Sequence, residues 1–230
     1  MDSKLHIVYH CFCKNDWKAI VDEHFGYINN TTVHCTAIGN PSQLKELEEV
    51  AKRHKIVLEM ESYENPLVYE HAAIELVEKL AASNPKDYVL YFHSKGTGRP
   101  VEVSNSWRNY MNKHFIAKYE THFEKLIRSG KDATGVLYCR KERDRDFNGL
   151  TTQFFAGNFW IASNVYLNSL PAYHELRDFY PESWLIAERY IGWGDPRVKY
   201  IKQLKTMGME GLFGAYRKIK SLNKSRGLFL

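Results

Sequence analysis

The chain has 230 residues, 44 % hydrophobic and 26 % charged, with 32 Lys and Arg against 27 Asp and Glu for a formal charge of +5. This excludes a disordered chain, a collagen and a coiled coil, and the charge excess is too small for a nucleic-acid-binding domain built on a basic stripe, so no nucleic-acid partner is expected. No apolar run approaches the ~20 residues of a membrane span, the opening MDSKLHIVYHCFC lacks the features of a signal peptide, and Cys11, Cys13, Cys35 and Cys139 are too scattered for a disulfide framework, so the sequence reads as cytoplasmic with no transmembrane segment.

The first half alternates strand and helix patterns. Residues 5–9 form a short β-type run, and 16–25 are helical with Asn15 or Asp16 as cap. Residues 33–38 read as a second strand closed by Gly39-Asn40-Pro41. Ser42 then caps a helix over 43–54, with Leu44, Leu47, Val50 and Ala51 at helical spacing. Residues 55–60 read as a third strand. Pro66 starts a helix running to about Ala82, with Ala72, Ala73, Leu76, Val77 and Leu80 on one face. The fourth strand, 87–92 (DYVLYF), is apolar enough for burial on both faces. Such alternation means a mainly parallel sheet with right-handed crossovers.

The second half is less regular. Residues 103–129 read as one long helix, 134–139 as a short strand and 140–148 (RKERDRDFN) as a charged loop. Residues 153–162 (QFFAGNFWIA) read as one apolar, aromatic strand region, and 165–170 and 182–191 as helical. Residues 216–226 are basic. No internal repeat or linker divides the chain.

The chemistry-bearing residues cluster in four places. The fourth strand ends in His93-Ser94-Lys95-Gly96-Thr97-Gly98. Open α/β sheets bind ligands beyond the carboxyl ends of their strands. Gly96 and Gly98 allow a sharp turn, and Lys95 offers a positive charge to a phosphate. The same residues also fit a simple polar turn. Trp107-Arg108 adds a second cation near a helix start, where backbone donors favour anions. In Gly157-Asn158-Phe159-Trp160, an amide can bond a hydroxyl while a ring stacks on a sugar. In Pro181-Glu182-Ser183-Trp184-Leu185-Ile186-Ala187-Glu188, one carboxylate among aromatics can act as a general base; helix capping and a surface ion pair are the alternatives. Cys11-x-Cys13 lacks the partners of a zinc site. Asp144-Arg145-Asp146 sits in a charged loop, which does not hold ligands rigidly.

Taken in order, HSKG at a strand end, Trp107-Arg108, GNFW at 157–160 and Ala187-Glu188 followed by Ile191-Gly192 resemble a family of small GT-A-fold glycosyltransferases. Its members occur in large algal viruses and in bacteria that make surface glycans. The resemblance runs from about Asp87 to Gly192. It implies a single α/β, GT-A-like domain whose mainly parallel, mixed sheet is flanked by helices. That domain would span 1–212, with a nucleotide-binding half at 1–100 and an acceptor-side half at 101–212, before a basic helix or tail at 213–230. It implies transfer of a sugar from a nucleotide sugar, most often a UDP sugar, to a glycan or glycoprotein hydroxyl. His93, Lys95, Gly96 and Arg108 then fall on the diphosphate side, and His10 and Tyr63 where the nucleoside sits. Asn158 and Trp160 fall on the sugar or acceptor, and Glu188 is the base with Glu182 in reserve. The sequence departs from the fold's usual pattern in one respect: His93-Ser94-Lys95 stands where a carboxylate motif normally holds Mn²⁺ or Mg²⁺. Either Lys95 and Arg108 neutralise the diphosphate, with no metal residues assigned, or another carboxylate holds a divalent cation. Two other readings of the residues stay open: a non-catalytic nucleotide- or glycan-binding module of a larger protein, and a nucleotide-dependent hydrolase or phosphotransferase.

Overall fold

Strict alternation along the first strand decides the architecture. In a computed structural model, which describes residues 3–97, 102–136, 138–141, 152–155, 157–173 and 198–200, strand β1 (Leu5–Phe12) sends Ile7, Tyr9 and Cys11 to one face and Val8 and His10 to the other. All five are buried, so both faces must be covered. β1 pairs in parallel with β2 (Thr32–Ile38) and with β4 (Tyr88–His93), and β2 pairs in parallel with β3 (Val57–Tyr63). β8 (Trp160–Ser163) runs antiparallel to β4 and to β5 (Ala133–Gly135), and β9 (Val198–Tyr200) runs parallel to β5. The order is β3-β2-β1-β4-β8-β5-β9, an α/β fold with a mixed, mainly parallel sheet as expected.

Helices cover both faces. On the Tyr9 side lie α1 (Trp17–Tyr27), α2 (Pro41–Arg53), α4 (Glu102–His114) and α5 (Tyr119–Ser129), through Trp17, Val21, Phe25, Leu47, Met111 and Leu126. On the Val8 side lie α3 (His71–Ser83) and α6 (Asn164–Leu167), through Ala73, Ile74, Val77, Ala81 and Tyr166. Fully burying one Ile, Val or Leu contributes about 1.5–3 kcal/mol, which makes these faces the main stabilising term. Cys11, Cys13 and Cys35 are buried free thiols of the core. Among the described residues no helix is long and apolar enough to cross a membrane.

Several elements differ from the sequence reading. The cap of α2 is Asn40, not Ser42: its Oδ1 accepts from Gln43 N at 3.0 Å, Gln43 Oε1 accepts from Asn40 N at 3.0 Å, and Pro41 opens the helix. Pro66 opens only a 3₁₀ turn (Pro66–Val68); Tyr69 then takes φ 44°, which no helix continues, and α3 begins at His71. The long helix breaks at Phe115 into α4, a 3₁₀ turn (Ile116–Lys118) and α5: Phe115 takes φ −124°, outside the helical range. The single run at 153–162 is two strands: β7 (Thr152–Phe155) joins β6 (Tyr138–Lys141) in a separate ribbon, and Gly157 (φ 95°) and Asn158 (φ 58°) turn the chain into β8. β6 also takes Arg140 and Lys141 from the expected loop. The short helix near 165–170 closes at Leu167. The remaining loop to Asn148, the helix at 182–191 and the basic stretch at 216–226 lie outside the described residues.

A polar network crosses the Tyr9 face. Tyr9 OH donates to His24 Nδ1 at 3.0 Å and His24 Nε2–H donates to Asn112 Oδ1 at 2.9 Å, all three residues being fully buried. This pattern requires neutral imidazole, and burial lowers the His24 pKa to about 3, outweighing the bond to Asn112. On the other face, burial lowers that of His10 to about 4. Both folded values lie below the unfolded 6.5, so the unfolded chain takes up these protons first. The stability they confer is whole above about pH 6.5 and is lost as pH falls toward 4 and then 3. Urea midpoints should therefore drop between about pH 7 and pH 4, each histidine adding a slope of up to about 1.4 kcal/mol per pH unit. His24→Gln should flatten that limb, and an unchanged slope in this variant would contradict the assignment.

Candidate functional site

The chain leaves β1 toward β2 and β3 on one side and returns as β4 on the other, so the carboxyl ends of β1 and β4 form a switch point of the kind where open sheets bind ligands. His10 and His93 are register partners at that point, both on the α3 face. His10 is 4 % exposed and its Nδ1 meets Thr36 Oγ1 at 2.9 Å.

Beyond His93 the chain turns tightly. Ser94 extends the β1–β4 pairing: its N donates to His10 O at 2.9 Å, and its Oγ accepts from Phe12 N at 2.8 Å. Thr97 Oγ1 donates to Ser94 O at 3.0 Å, and Gly96 takes φ 95°, a conformation that disfavours any side chain. Lys95 Nζ lies 4.6 Å from the centre of the Trp107 ring, a cation–π contact that fixes the ammonium beside the turn. Arg108 is buried. Its Nη1 donates to Lys95 O at 3.1 Å and to Asn105 Oδ1 at 2.9 Å, so this part of the guanidinium holds the turn in place.

The centre of the site is Glu70, which the sequence reading passed over. The 3₁₀ turn and Tyr69 deliver it immediately ahead of α3, opposite the end of β4. Its Oε1 meets His93 Nδ1 at 2.6 Å; its Oε2 accepts from Tyr91 OH and from Asn158 Nδ2, each at 2.8 Å. Asn158 Oδ1 in turn accepts from Trp160 Nε1 at 2.8 Å. The side chains of His93 and Glu70 are 8 % and 20 % exposed. Burial alone would raise the Glu70 pKa, but His93, through charge and hydrogen bond, and then His10 and Lys95, hold it well below the usual carboxylate range.

Of the residues singled out from sequence, His10, His93, Lys95 and Gly96 come together at this edge. Tyr63 ends β3, two strands from β1, with its hydroxyl on Glu61 Oε2 at 3.0 Å; it borders a cavity of about 400 Å³ lined also by Gly39, Leu44, Lys45 and Met60. Asn158 and Trp160 are not disposed for an acceptor sugar. Trp160 is 1 % exposed with its ring against Tyr91, and the Asn158 amide is bonded to Glu70 and Trp160, so both support the carboxylate from behind. Glu182, Glu188, Gly98 and the Asp144–Asp146 motif lie outside the described residues. Among the described residues no three His, Cys, Asp or Glu are placed to share a metal ion. At 93–95 the groups do not suit a divalent cation: Ser94 Oγ is taken by Phe12 N, Lys95 is cationic and His93 Nδ1 faces Glu70.

A family model matches residues 9–182, a span that includes every element of this site. The chain belongs to the family described as a domain of unknown function (DUF8361). No curated protein matches it. Among solved structures it is similar to a crystal structure of 4-diphosphocytidyl-2C-methyl-D-erythritol synthase from Anaerococcus prevotii DSM 20548, with a TM-score of 0.42 and 10 % identity, covering 94 % of this chain and 96 % of that one.

Glu70→Ala leaves His93 Nδ1, Tyr91 OH and Asn158 Nδ2 without their acceptor. Denaturant titration at neutral pH should show a loss of about 2–4 kcal/mol, and Glu70→Gln, which keeps one acceptor, less than half of that. An Ala variant as stable as the parent would show that Glu70 does not organise the cluster.

Proposed function

We propose that this protein is a glycosyltransferase that moves a sugar from a nucleotide sugar, first of all a UDP sugar, to a hydroxyl of a glycan or glycoprotein. The observation that carries this reading is the set of groups at the β1–β4 switch point: Lys95, His93 and the glycine-bearing turn on one side, His10 on the other, with Glu70 behind. In that reading Lys95 and the turn face the diphosphate, Arg108 holds Lys95 through its carbonyl, and His10 and Tyr63 flank the nucleoside. In an inverting transfer the acceptor O–H gives its proton to a base as the oxygen bonds the anomeric carbon. The bond from that carbon to the diphosphate breaks, and its electron pair stays on the phosphate oxygen. Charge builds on the leaving group, which is why donors fixed at the switch point matter more than flexible ones. The base assigned from the sequence is Glu188, with Glu182 in reserve.

UDP at millimolar concentration should raise the melting temperature, while a free hexose should not, since a ligand of the folded state stabilises by mass action. Lys95→Ala should weaken UDP binding by about ten- to a hundredfold, the worth of one charge-assisted contact. Unchanged affinity in that variant would move the diphosphate away from Lys95. UDP binding without turnover of any nucleotide sugar would favour the non-catalytic module.

Glu188→Gln should lower turnover by roughly 10²–10⁴ with donor affinity nearly unchanged, the signature of a lost general base. Glu182→Gln should do less. Steady-state rates with a fixed donor and acceptor decide this, and a Glu188→Gln enzyme within tenfold of the parent takes Glu188 out of the mechanism.

A further inference from the structure

The α3 face of the sheet carries a second set of paired side chains at its other end. His6 precedes His10 by four residues of β1, about 13 Å along the strand. Asp87 (immediately ahead of β4), His6 on β1, His34 on β2 and Glu59 on β3 form a row that follows the strand order. His6 Nε2–H donates to Asp87 Oδ2 at 2.9 Å, and His34 Nδ1–H donates to Glu59 Oε2 at 2.8 Å. A carboxylate only accepts, so in the neutral rings these nitrogens hold the hydrogen, and His6 Nδ1 and His34 Nε2 present bare lone pairs. Among the described residues neither lone pair has a hydrogen-bond partner. Neither atom is closed off from solvent, the two side chains being 18 % and 19 % exposed. The two nitrogens of an imidazole lie on opposite flanks of the ring. Each carboxylate stands at an outer end of the row, so each free nitrogen is on the inner flank. The ring centres are 6.0 Å apart with the planes at 40°.

We propose that His6 and His34 bind one transition-metal dication of the zinc class between them, with water in its remaining positions. Imidazole suits Zn²⁺, Ni²⁺ or Cu²⁺, whereas Mg²⁺ and Mn²⁺ prefer oxygen. A cation about 2.0–2.1 Å from one nitrogen of each ring holds the ring centres roughly 4.5–6.5 Å apart. The observed 6.0 Å falls inside that range, so the strands need not move. Asp87 and Glu59 are the outer partners: each fixes the tautomer of its histidine and raises the basicity of the free nitrogen. Burial lowers the His34 pKa below its ordinary value, with Glu59 pulling the other way, so near pH 7.5 its lone pair is free and binding displaces only water. The two carboxylates offset the charge of a dication, and Lys4, whose charge reaches Asp87, opposes it. No three His, Cys, Asp or Glu among the described residues share this position, so the site is a two-ligand clip and not a closed cage. It joins β1 to β2 directly, and β3 and the lead into β4 through the carboxylates. It stands at the amino ends of the strands, apart from the Glu70 crevice, and does not depend on the nucleotide-sugar reading.

Calorimetric titration of ZnCl₂ into the untagged full chain, reduced and at about pH 7.5, tests the clip. Two protein ligands supply roughly half the binding free energy of a complete four-ligand site, so one Zn²⁺ should bind per chain with a Kd of about 1–200 µM. MgCl₂ should give no heat of binding at these concentrations. His6→Ala and His34→Ala should each abolish that binding, and Glu59→Ala, which leaves both ligands in place, should weaken it by about 10–100-fold. Zn²⁺ should also raise the melting temperature of the parent and not that of His34→Ala. Ring-nitrogen NMR of the unmutated protein gives a readout that needs no variant: Zn²⁺ should shift His6 Nδ1 and His34 Nε2 while His6 Nε2 and His34 Nδ1 keep their hydrogens. Absence of Zn²⁺ binding in this range overturns the proposal. So does binding of undiminished affinity in both histidine variants, which would place the metal on the core thiols Cys11, Cys13 and Cys35 or on other histidines, and so do spectra in which these two nitrogens stay unmoved while Zn²⁺ binds.

Discussion

The whole edge of the sheet depends on where one carboxylate comes to rest. Glu70 accepts from three protein donors on two elements: His93 and Tyr91 on β4, and Asn158 in the turn before β8. Removing it would take an acceptor away from three buried residues. The pair thus ties the head of α3 to the end of β4 and to the antiparallel strand beside it. These three segments keep their relative places because all are held through one anion.

The opposite face shows why such a cluster can be tolerated. There the same strands carry Tyr9 and Phe92 into the aromatic core around His24, and the Tyr9–His24–Asn112 chain is closed among neutral groups. One side of β1 and β4 is therefore a packed wall braced by α1 and α4. The other carries ionised groups at its carboxyl end. Alternation alone separates them: residue 9 belongs to the wall and residue 10 to the site, residue 92 to the wall and residue 93 to the site.

Much of this was legible in the amino-acid sequence. β4 announces itself as an apolar run buried on both faces, the strand–helix alternation ahead of it gives β1 to β3, and the polar run after Phe92 marks the end of the strand. What escaped did so for local reasons. Pro66 is a good helix opener, yet Tyr69 at positive φ interrupts the helix, and a reading that ran the helix through hid Glu70 in its middle. Gly157-Asn158 looked like one turn residue inside a strand, but two consecutive left-handed residues reverse the chain. Asn158 and Trp160 were noticed for their chemistry and misplaced in role, because nothing in a linear sequence tells a buried carboxylate partner from a sugar contact. Phe115 reads as one more helical apolar position, and only its backbone, at φ −124°, marks the break.

The position of the negative charge also sets this edge apart from a metal-holding one. In a site that holds a metal against a diphosphate, carboxylate oxygens face outward to the cation. Here both Glu70 oxygens face inward and are occupied by protein donors. What remains toward the strand ends is the Lys95 ammonium on its Trp107 platform and the glycine-bearing turn. A carboxylate whose acceptor capacity is used internally does not compete for a cation. The cluster therefore uses an acidic residue as an internal brace, which leaves a His-Ser-Lys sequence at a strand end where a metal-holding site would carry outward-facing carboxylates.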